Sequence, residues 1–321
     1  MATTITTDLL LDQTAYDLFA YFALRPELYF DAVADVKPTN QSMPGAAVKF
    51  EIISDLSIAS TAINESTDIT PASMADSQVT ATLAEYGNAV KTTALVRGTS
   101  YVPVNPIVAN IVGFNAGQSL DEIASIVLRG GSNVRYATGG TTDPTARNTV
   151  QPEDVLAGDD ARRARADLVG ANVQPIGGSY VGYIHPDVAY DFRAGASSVN
   201  SAAWRDPHVY SQPAEIWSGE IGQFEGIRWV ETPRAPVFAD AGSSTTPTDV
   251  YATIVVGRQA LAKAYSYTDG NGAMPKIVPG PVTDTLRRFV PLGWYWLGAY
   301  ARFREAALRR IESSSSIGTN A

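Results

Sequence analysis

Cysteine is absent from the 321-residue chain, which excludes disulfides and thiolate metal sites and leaves oligomerisation as the usual source of stability beyond the core. Histidine occurs only twice, His185 in "YIHPDV" and His208 in "RDPHVY", and neither has a partner at metal-ligand spacing. His185-Pro186-Asp187 reads as a strand-to-helix junction, with Pro suited to the first helical position and Asp to the positive end of the helix dipole. There is no G-x-S-x-G elbow and no Walker loop, and "GGSNVRYATGG" is glycine-rich without dinucleotide spacing, so it reads as turn material. The Asp159-Asp160 pair could hold a hard cation, but acids at a helix N-terminus explain it better. No apolar run reaches the ~18 residues of a membrane span. The first residues lack the basic start and small-residue cleavage site of a signal peptide. The sequence therefore offers no catalytic constellation, and no enzyme activity, cofactor, metal or membrane partner is expected.

What is present is an uneven distribution of charge. Met1 to Tyr86 holds 12 acidic and 3 basic residues, a net of −9, and the remainder holds 21 of each. An acidic chain is a poor general DNA binder. Arginines cluster later, at Arg162, Arg163 and Arg165, at Arg287 and Arg288, and at Arg302, Arg304, Arg309 and Arg310. The plain reading is a solvated acidic face. The sharper one is an acidic segment that meets a basic surface on another copy of the chain.

Residues 1–44 read as an extended arm with one short helical piece, where Leu18, Phe19, Phe22 and Ala23 are spaced for a helix that Pro26 ends or kinks. Residues 45–98 read as a long β-hairpin, from "AAVKFEIISDL" and "QVTATLAEYGNAVKTTALV", around a polar tip from Ser54 to Ser77. Two strands alone bury little, so this excursion needs a surface to lie on. Residues 103–129 predict a helix of roughly 40 Å. Pro106 stands near its start, Gly130-Gly131 at its end, and Ile107, Val108, Ile111, Val112, Leu120, Ile123, Ala124 and Val127 form its stripe. Gly113 and Gly117 permit a bend in its middle. A second helix is expected near Asp159–Val169. Residues 171–274 alternate strand and helix signals, with "YATIVVGRQALAKAYS" read as a buried strand running into a helix. Residues 282–304 return to period two, and no internal repeat is visible.

The run "VPVNPIVANIVGFNAGQSLDEIASIVLRGGSNVRYATGG" carries a resemblance, supported by "YIHPDVAYDFR", "GEIGQFEGIRWVETPRAPVF" and "LGWYWLGAYARFREAALRRIES" in that order over nearly the whole chain. It resembles the major capsid proteins of tailed phages with the Hong Kong 97-type fold, in the branch named for the coat protein of phage N-four. The resemblance implies an α+β fold with an N-terminal arm (1–44) and an extended loop (45–98). It also implies a peripheral domain with a spine helix (99–170 and 275–312, helix about 103–129), an axial domain (171–274) and a flexible tail (313–321). It implies a subunit that self-assembles into hexamers and pentamers of an icosahedral head around double-stranded DNA, assembled in the bacterial host cytoplasm. Separate scaffolding, portal and decoration proteins are candidates for further partners, and packaged DNA would be touched without base specificity. The alternatives are a cellular nanocompartment shell of the same fold, or an enzyme with an unrecognised site.

Within that frame, Trp294, Trp296 and Tyr300 share one strand face, and Tyr295, Leu297 and Phe303 the other. A strand with bulky groups on both faces is covered on both, one cover being the spine helix and the other, by resemblance, a neighbour's loop or arm. The expected inter-subunit contacts are Glu51, Asp55, Glu65, Asp68 and Glu85 from the hairpin, meeting Arg287, Arg288, Arg302 and Arg304, with Trp294 and Trp296 supplying apolar area. Two departures from relatives matter. The chain reaches its arm almost at once, so a separate scaffold or none is expected. The hairpin tip has no lysine, since Lys49 and Lys91 lie in the strands, so loop-lysine cross-linking is expected to be absent.

Overall fold

The computed structural model describes residues 29–39, 47–54, 56–60, 62–63, 65–66, 68–69, 71–99, 104–140, 142–194, 204–205, 220–245, 247–266, 272–281, 284–286 and 288–317. A 3-10 turn at Phe30–Val33 leads into β1 (Ala34–Thr39), followed by β2 (Ala47–Ile53), β3 (Asp76–Thr82) and β4 (Ala84–Thr93). Two helices follow, α1 (Ala94–Thr99) and the spine helix α2 (Val104–Arg129), and then β5 (Val134–Tyr136) and α3 (Gly158–Gly170). Next come β6 (Tyr180–Ile184), α4 (Pro186–Ala194), β7 (Trp204–Arg205), β8 (Glu220–Phe224), β9 (Ile227–Glu231) and β10 (Val237–Phe238). The last strands are β11 (Val250–Val256), β12 (Leu261–Ser266), β13 (Lys276–Pro279), β14 (Phe289–Arg302) and β15 (Leu308–Ser313).

The period-two stretch near the C-terminus becomes β14, the hub of a five-stranded sheet. One edge pairs antiparallel with β4 from Phe289↔Thr93 to Gly298↔Ala84. The other edge carries β12 at Gly298–Arg302 and β13 at Leu292–Tyr295, and β1 adds parallel to β12. An eight-stranded sheet runs β5-β15-β11-β6-β9-β8-β7, with β10 also on β11. Every residue of β6 and β11 is buried, as expected for strands covered on both faces. The spine helix, α3 and α4 pack with both sheets in one apolar core that contains Leu120, Leu168, Phe192, Trp229 and Trp296.

Several sequence expectations need correction. "ALAKAYS" is rich in helix formers, yet it forms β12, because pairing with β1 and β14 on both sides outweighs a weak local propensity. Gln259, at φ 66, makes the sharp turn that sends the chain back. The hairpin expected over 45–98 is only β2 with β3, a two-stranded ribbon. The chain leaves that ribbon at Leu83, and the second half of the expected strand joins the main sheet as β4. Pairing also crosses the boundary drawn at 274/275, since β12 lies in the β14 sheet while β15 completes the sheet of β11 and β6.

The two chain ends differ from expectation as well. Residues 29–39 of the expected arm are built into the body, with Phe30 fully buried. The helical piece around Leu18–Ala23 lies outside the described residues. The tail expected to be flexible from 313 is packed, with Ser313–Ser315 buried, and Ser315 and Ser316 hydroxyls donate to Asp191. Residues 318–321 lie outside the described residues. The spine helix runs unbroken through Gly113 and Gly117. Its buried line is Ala109, Val112, Ala116, Leu120, Ala124 and Leu128, while Ile107 and Ile111, expected in the stripe, are exposed.

Candidate functional site

The two faces of β14 decide which surface is left for partners. On the even face, the Trp294 indole N–H donates to Asn115 Oδ1 of the spine helix at 2.9 Å, and the Trp296 N–H donates to the Gly272 carbonyl at 3.2 Å. Tyr86 of β4 stacks on Trp296 at 5.8 Å, and Tyr300 lies 5.6 Å away. Trp294 and Trp296 are 5% and 0% exposed. The expectation that they form inter-subunit contacts is therefore corrected, because the spine helix and β4 of the same subunit bury them.

The odd face is covered in part from within. Phe303 meets Phe50 of β2 at 5.5 Å, and Val48, Phe50 and Ala81 form a small apolar cluster with Ala262, Ala264 and Ala299. The root of the hairpin thus lies on its own sheet rather than only on a neighbour. Tyr295 and Leu297 are only partly buried. A shallow trench of about 480 Å³, lined by Gly87, Ala89, Val278, Gly280, Pro291 and Gly293 among others, continues beside them.

The arginines act differently from the sequence expectation. Arg302 donates to the Val127 carbonyl at 3.2 Å and lies 3.0 Å from Glu305. Arg310 donates to the carbonyls of Arg129 and Gly131, and Arg304 to that of Ala171 at 3.0 Å. These carbonyls are the orphan acceptors at the C-termini of the spine helix and α3, where cations are also favoured by the helix dipole. Arg288 pairs with Asp284 at 3.0 Å. The receiving arginines therefore have partners in their own chain. Arg287 lies outside the described residues. No spacing rule signals an arginine that caps a helix 175 residues away, so sequence reasoning missed this role.

The expected donors are more open. Glu51, Glu65, Asp68 and Glu85 are exposed and make no ion pair among the described residues, and Asp55 lies outside them. Between them the excursion exposes Ile53, Leu56, Ile58, Ile63, Ile69 and Met74, with Ile58 at 93%. Isolated exposed apolar residues are ordinary, but a series of six on one thin excursion marks a contact surface.

A second, buried set of charges ties the start of the described chain to the body. Asp121 of the spine helix is fully buried and accepts from the Tyr29 and Phe30 amides at 2.9 Å each, with Arg234 at 3.4 Å. Burial raises its carboxyl above the usual range, against the pull of the two amides and Arg234. Lys263 pairs with Asp31 at 2.7 Å, and the Tyr300 hydroxyl donates to the same oxygen at 2.6 Å. Burial and Asp31 push that hydroxyl well above its usual range.

The polar groups singled out for chemistry have structural partners. Asp160 accepts from the Ala157 amide at the start of α3, and Asp159 pairs with Arg163 one turn on. His185 lies between Asp187 and the Tyr251 ring at the β6–α4 junction, and burial lowers its pKa. The Tyr251 hydroxyl donates to Asp187 and is pushed up to about 12 by burial and by that carboxylate. Among the described residues no group of three or more His, Asp or Glu side chains could hold a metal ion, and no helix is long and apolar enough to cross a membrane. His208 lies outside the described residues.

Comparison with known proteins identifies the family and the fold. The family model described as phage capsid protein matches residues 11–317. No curated protein matches the chain by sequence. Among solved structures, the capsid of Ralstonia phage GP4 superposes with a TM-score of 0.75 at 15% identity, covering 91% of this chain and 92% of that one. The capsid of cyanophage Pam1 gives 0.67 at 13% identity, with 92% of each chain covered. The head structure of Helicobacter pylori bacteriophage KHP40 gives 0.61 at 11% identity, covering 91% and 90%. At these identities the structures speak for the fold, and the family match favours a viral shell over the nanocompartment reading.

Proposed function

Because the chain belongs to the phage capsid protein family, we propose in detail how it works as a subunit of the virion shell, its role as a structural protein being the premise. The excursion between β2 and β3 carries the reading. With Ile53 at its root, it exposes six large apolar residues and several acids that nothing among the described residues covers. Residues 47–82 act as the extended loop, with the root held on the sheet by Phe50 and Phe303 and the tip free to lie on a neighbouring copy. The open part of the β14 odd face, at Tyr295 and Leu297 and along the glycine-lined trench, is the matching surface.

In this reading the subunits close into hexamers and pentamers of an icosahedral head around double-stranded DNA. Burial of the tip would supply the non-directional part of the contact, at ~25 cal/mol per Å² of apolar area removed from water. The exposed acids Glu51, Glu65, Asp68 and Glu85 would set register and partner choice more than strength. The inner surface of an acidic chain would touch packed phosphate weakly, without base readout. Portal, scaffolding and decoration proteins are the further partners, and assembly takes place in the bacterial host cytoplasm. The axial role falls to the sheet of β11, β6 and β9, and the peripheral role to β14 with the spine helix.

The test is a paired substitution of Ile58→Ser and Ile63→Ser, followed by sedimentation velocity and circular dichroism on the full chain. The expected result is an unchanged subunit spectrum with particles lost or greatly reduced. Normal particles from this variant would remove the tip from the assembly contact.

A further inference from the structure

The turn Phe30–Val33 sits on the spine helix, its first amides bound to Asp121. Positions 107, 114 and 121 are seven apart and share one helix face, with 111 and 118 interleaved. At Asp121 that face is covered by Tyr29 and Phe30, and Asp121 is fully buried. Toward the helix N-terminus the same face turns apolar and is left open, with Ile107 at 41%, Ile111 at 56% and Phe114 at 42% exposed. An apolar stripe that continues an occupied contact is an unfinished contact.

The geometry points to the chain's own N-terminal segment as the occupant: Leu18, Phe19 and Phe22 dock on Ile107, Ile111 and Phe114 of the same subunit's spine helix. Three observations carry this. On this face only Gln118 separates Phe114 from the seat of Tyr29 and Phe30, so the chain that precedes Tyr29 begins beside the stripe. The sequence spaces Leu18, Phe19 and Phe22 as one apolar helical face, matched in kind to the stripe. The reach also suffices. From Asp121 back to Ile111 is about 15 Å along the helix at ~1.5 Å per residue, whereas the seven residues from Phe22 to Tyr29 span up to about 24 Å extended. Asp121 then works as a clamp that fixes where the segment leaves the body, and the apolar stripe fixes its direction. The inference concerns the unassembled subunit and stands whether or not the hairpin tip makes the shell contact.

The cysteine-free chain makes the test clean. Ile111→Cys is combined in turn with Leu18→Cys, Phe19→Cys and Phe22→Cys in the full chain, and unassembled subunits are oxidised at low concentration. The same three partners are repeated with Phe114→Cys, so that one poorly folding variant does not decide the result. The expected outcome is a disulfide within one chain for at least one pair at each helix position. It would be seen as a linked peptide from a species of monomer mass, with no link when Val169→Cys, exposed on α3, replaces the helix position. The absence of any link in all six pairs would overturn the inference. So would links found only between two chains, because another copy would then cover the stripe.

Discussion

Lys263, fully buried on β12, holds its ammonium 2.7 Å from the Asp31 carboxylate, and so fastens the first turn of the described chain to the middle of the hub sheet. The Tyr300 hydroxyl completes the site on the same oxygen. Removing one partner of such a pair leaves an uncompensated buried charge. Asp31→Ala is expected to destabilise the unassembled subunit by about 3–5 kcal/mol, and adding Lys263→Met is expected to recover most of that loss. Urea unfolding of the two single variants and the double variant checks it. Independent, additive losses would show that the pair is not coupled.

Gly87 of β4 pairs with Tyr295 of β14. A Cβ there would meet the Trp294 carbonyl oxygen at 2.8 Å, a backbone atom that cannot swing aside. Gly87→Ala is expected to cost about 1–3 kcal/mol as overpacking. It should also loosen the β4–β14 ladder, seen as faster amide exchange from Ala84 to Thr93. Unchanged exchange there would mean that the two strands have slack.

The Asp167 carboxyl is held below the ordinary carboxylate range chiefly by its hydrogen bonds from Arg135, with Arg309 at 3.4 Å adding to the effect. A folded pKa below the unfolded one gives stability that is present above the ordinary value of about 3.9 and lost as pH falls through the folded value. Arg135 is partly exposed, so the contribution is discounted to about 1 kcal/mol. Asp167→Asn should therefore be less stable than the parent at pH 7 and equal to it once acid has protonated Asp167 in both states. A deficit that persists unchanged into acid would point to lost packing instead of lost charge.

Charge reversal separates the two kinds of charged residue. Arg302→Glu would set a carboxylate beside the Val127 carbonyl, at the negative end of the spine helix, and beside Glu305, so folding itself should suffer by about 1–3 kcal/mol. Glu65→Lys and Asp68→Lys touch nothing charged among the described residues and should change stability by less than about 0.5 kcal/mol while altering particle yield. Thermal unfolding and particle counts on the same preparations check both halves. Equal effects on folding would erase the distinction.

Local signals explain which parts of this fold were readable. The spine helix shows its bounds through Pro106 and Gly130-Gly131, and β14 shows itself through alternation around Trp294, Trp296 and Tyr300. The parts that escaped depend on distant pairing. Nothing near "ALAKAYS" says that β1 and β14 wait on either side, and nothing at Leu83 says that β4 will leave the ribbon for Phe289–Gly298. The same holds for charge. Acids on the hairpin are visible in the sequence as open groups, whereas Arg302, Arg304 and Arg310 find backbone carbonyls at helix ends, a partner that carries no side-chain pattern. The rotation of the helix face, which buries Ala109 and exposes Ile111, likewise depends on what the helix lies against.

Cryo-electron microscopy of particles built from this chain tests the central claim most directly. The account predicts closed shells in which residues 53–75 of each subunit lie over the Tyr295–Leu297 face of a neighbouring subunit, with Trp294 and Trp296 buried within their own. Shells in which that excursion folds back over its own subunit, leaving the neighbour's face bare, would contradict it.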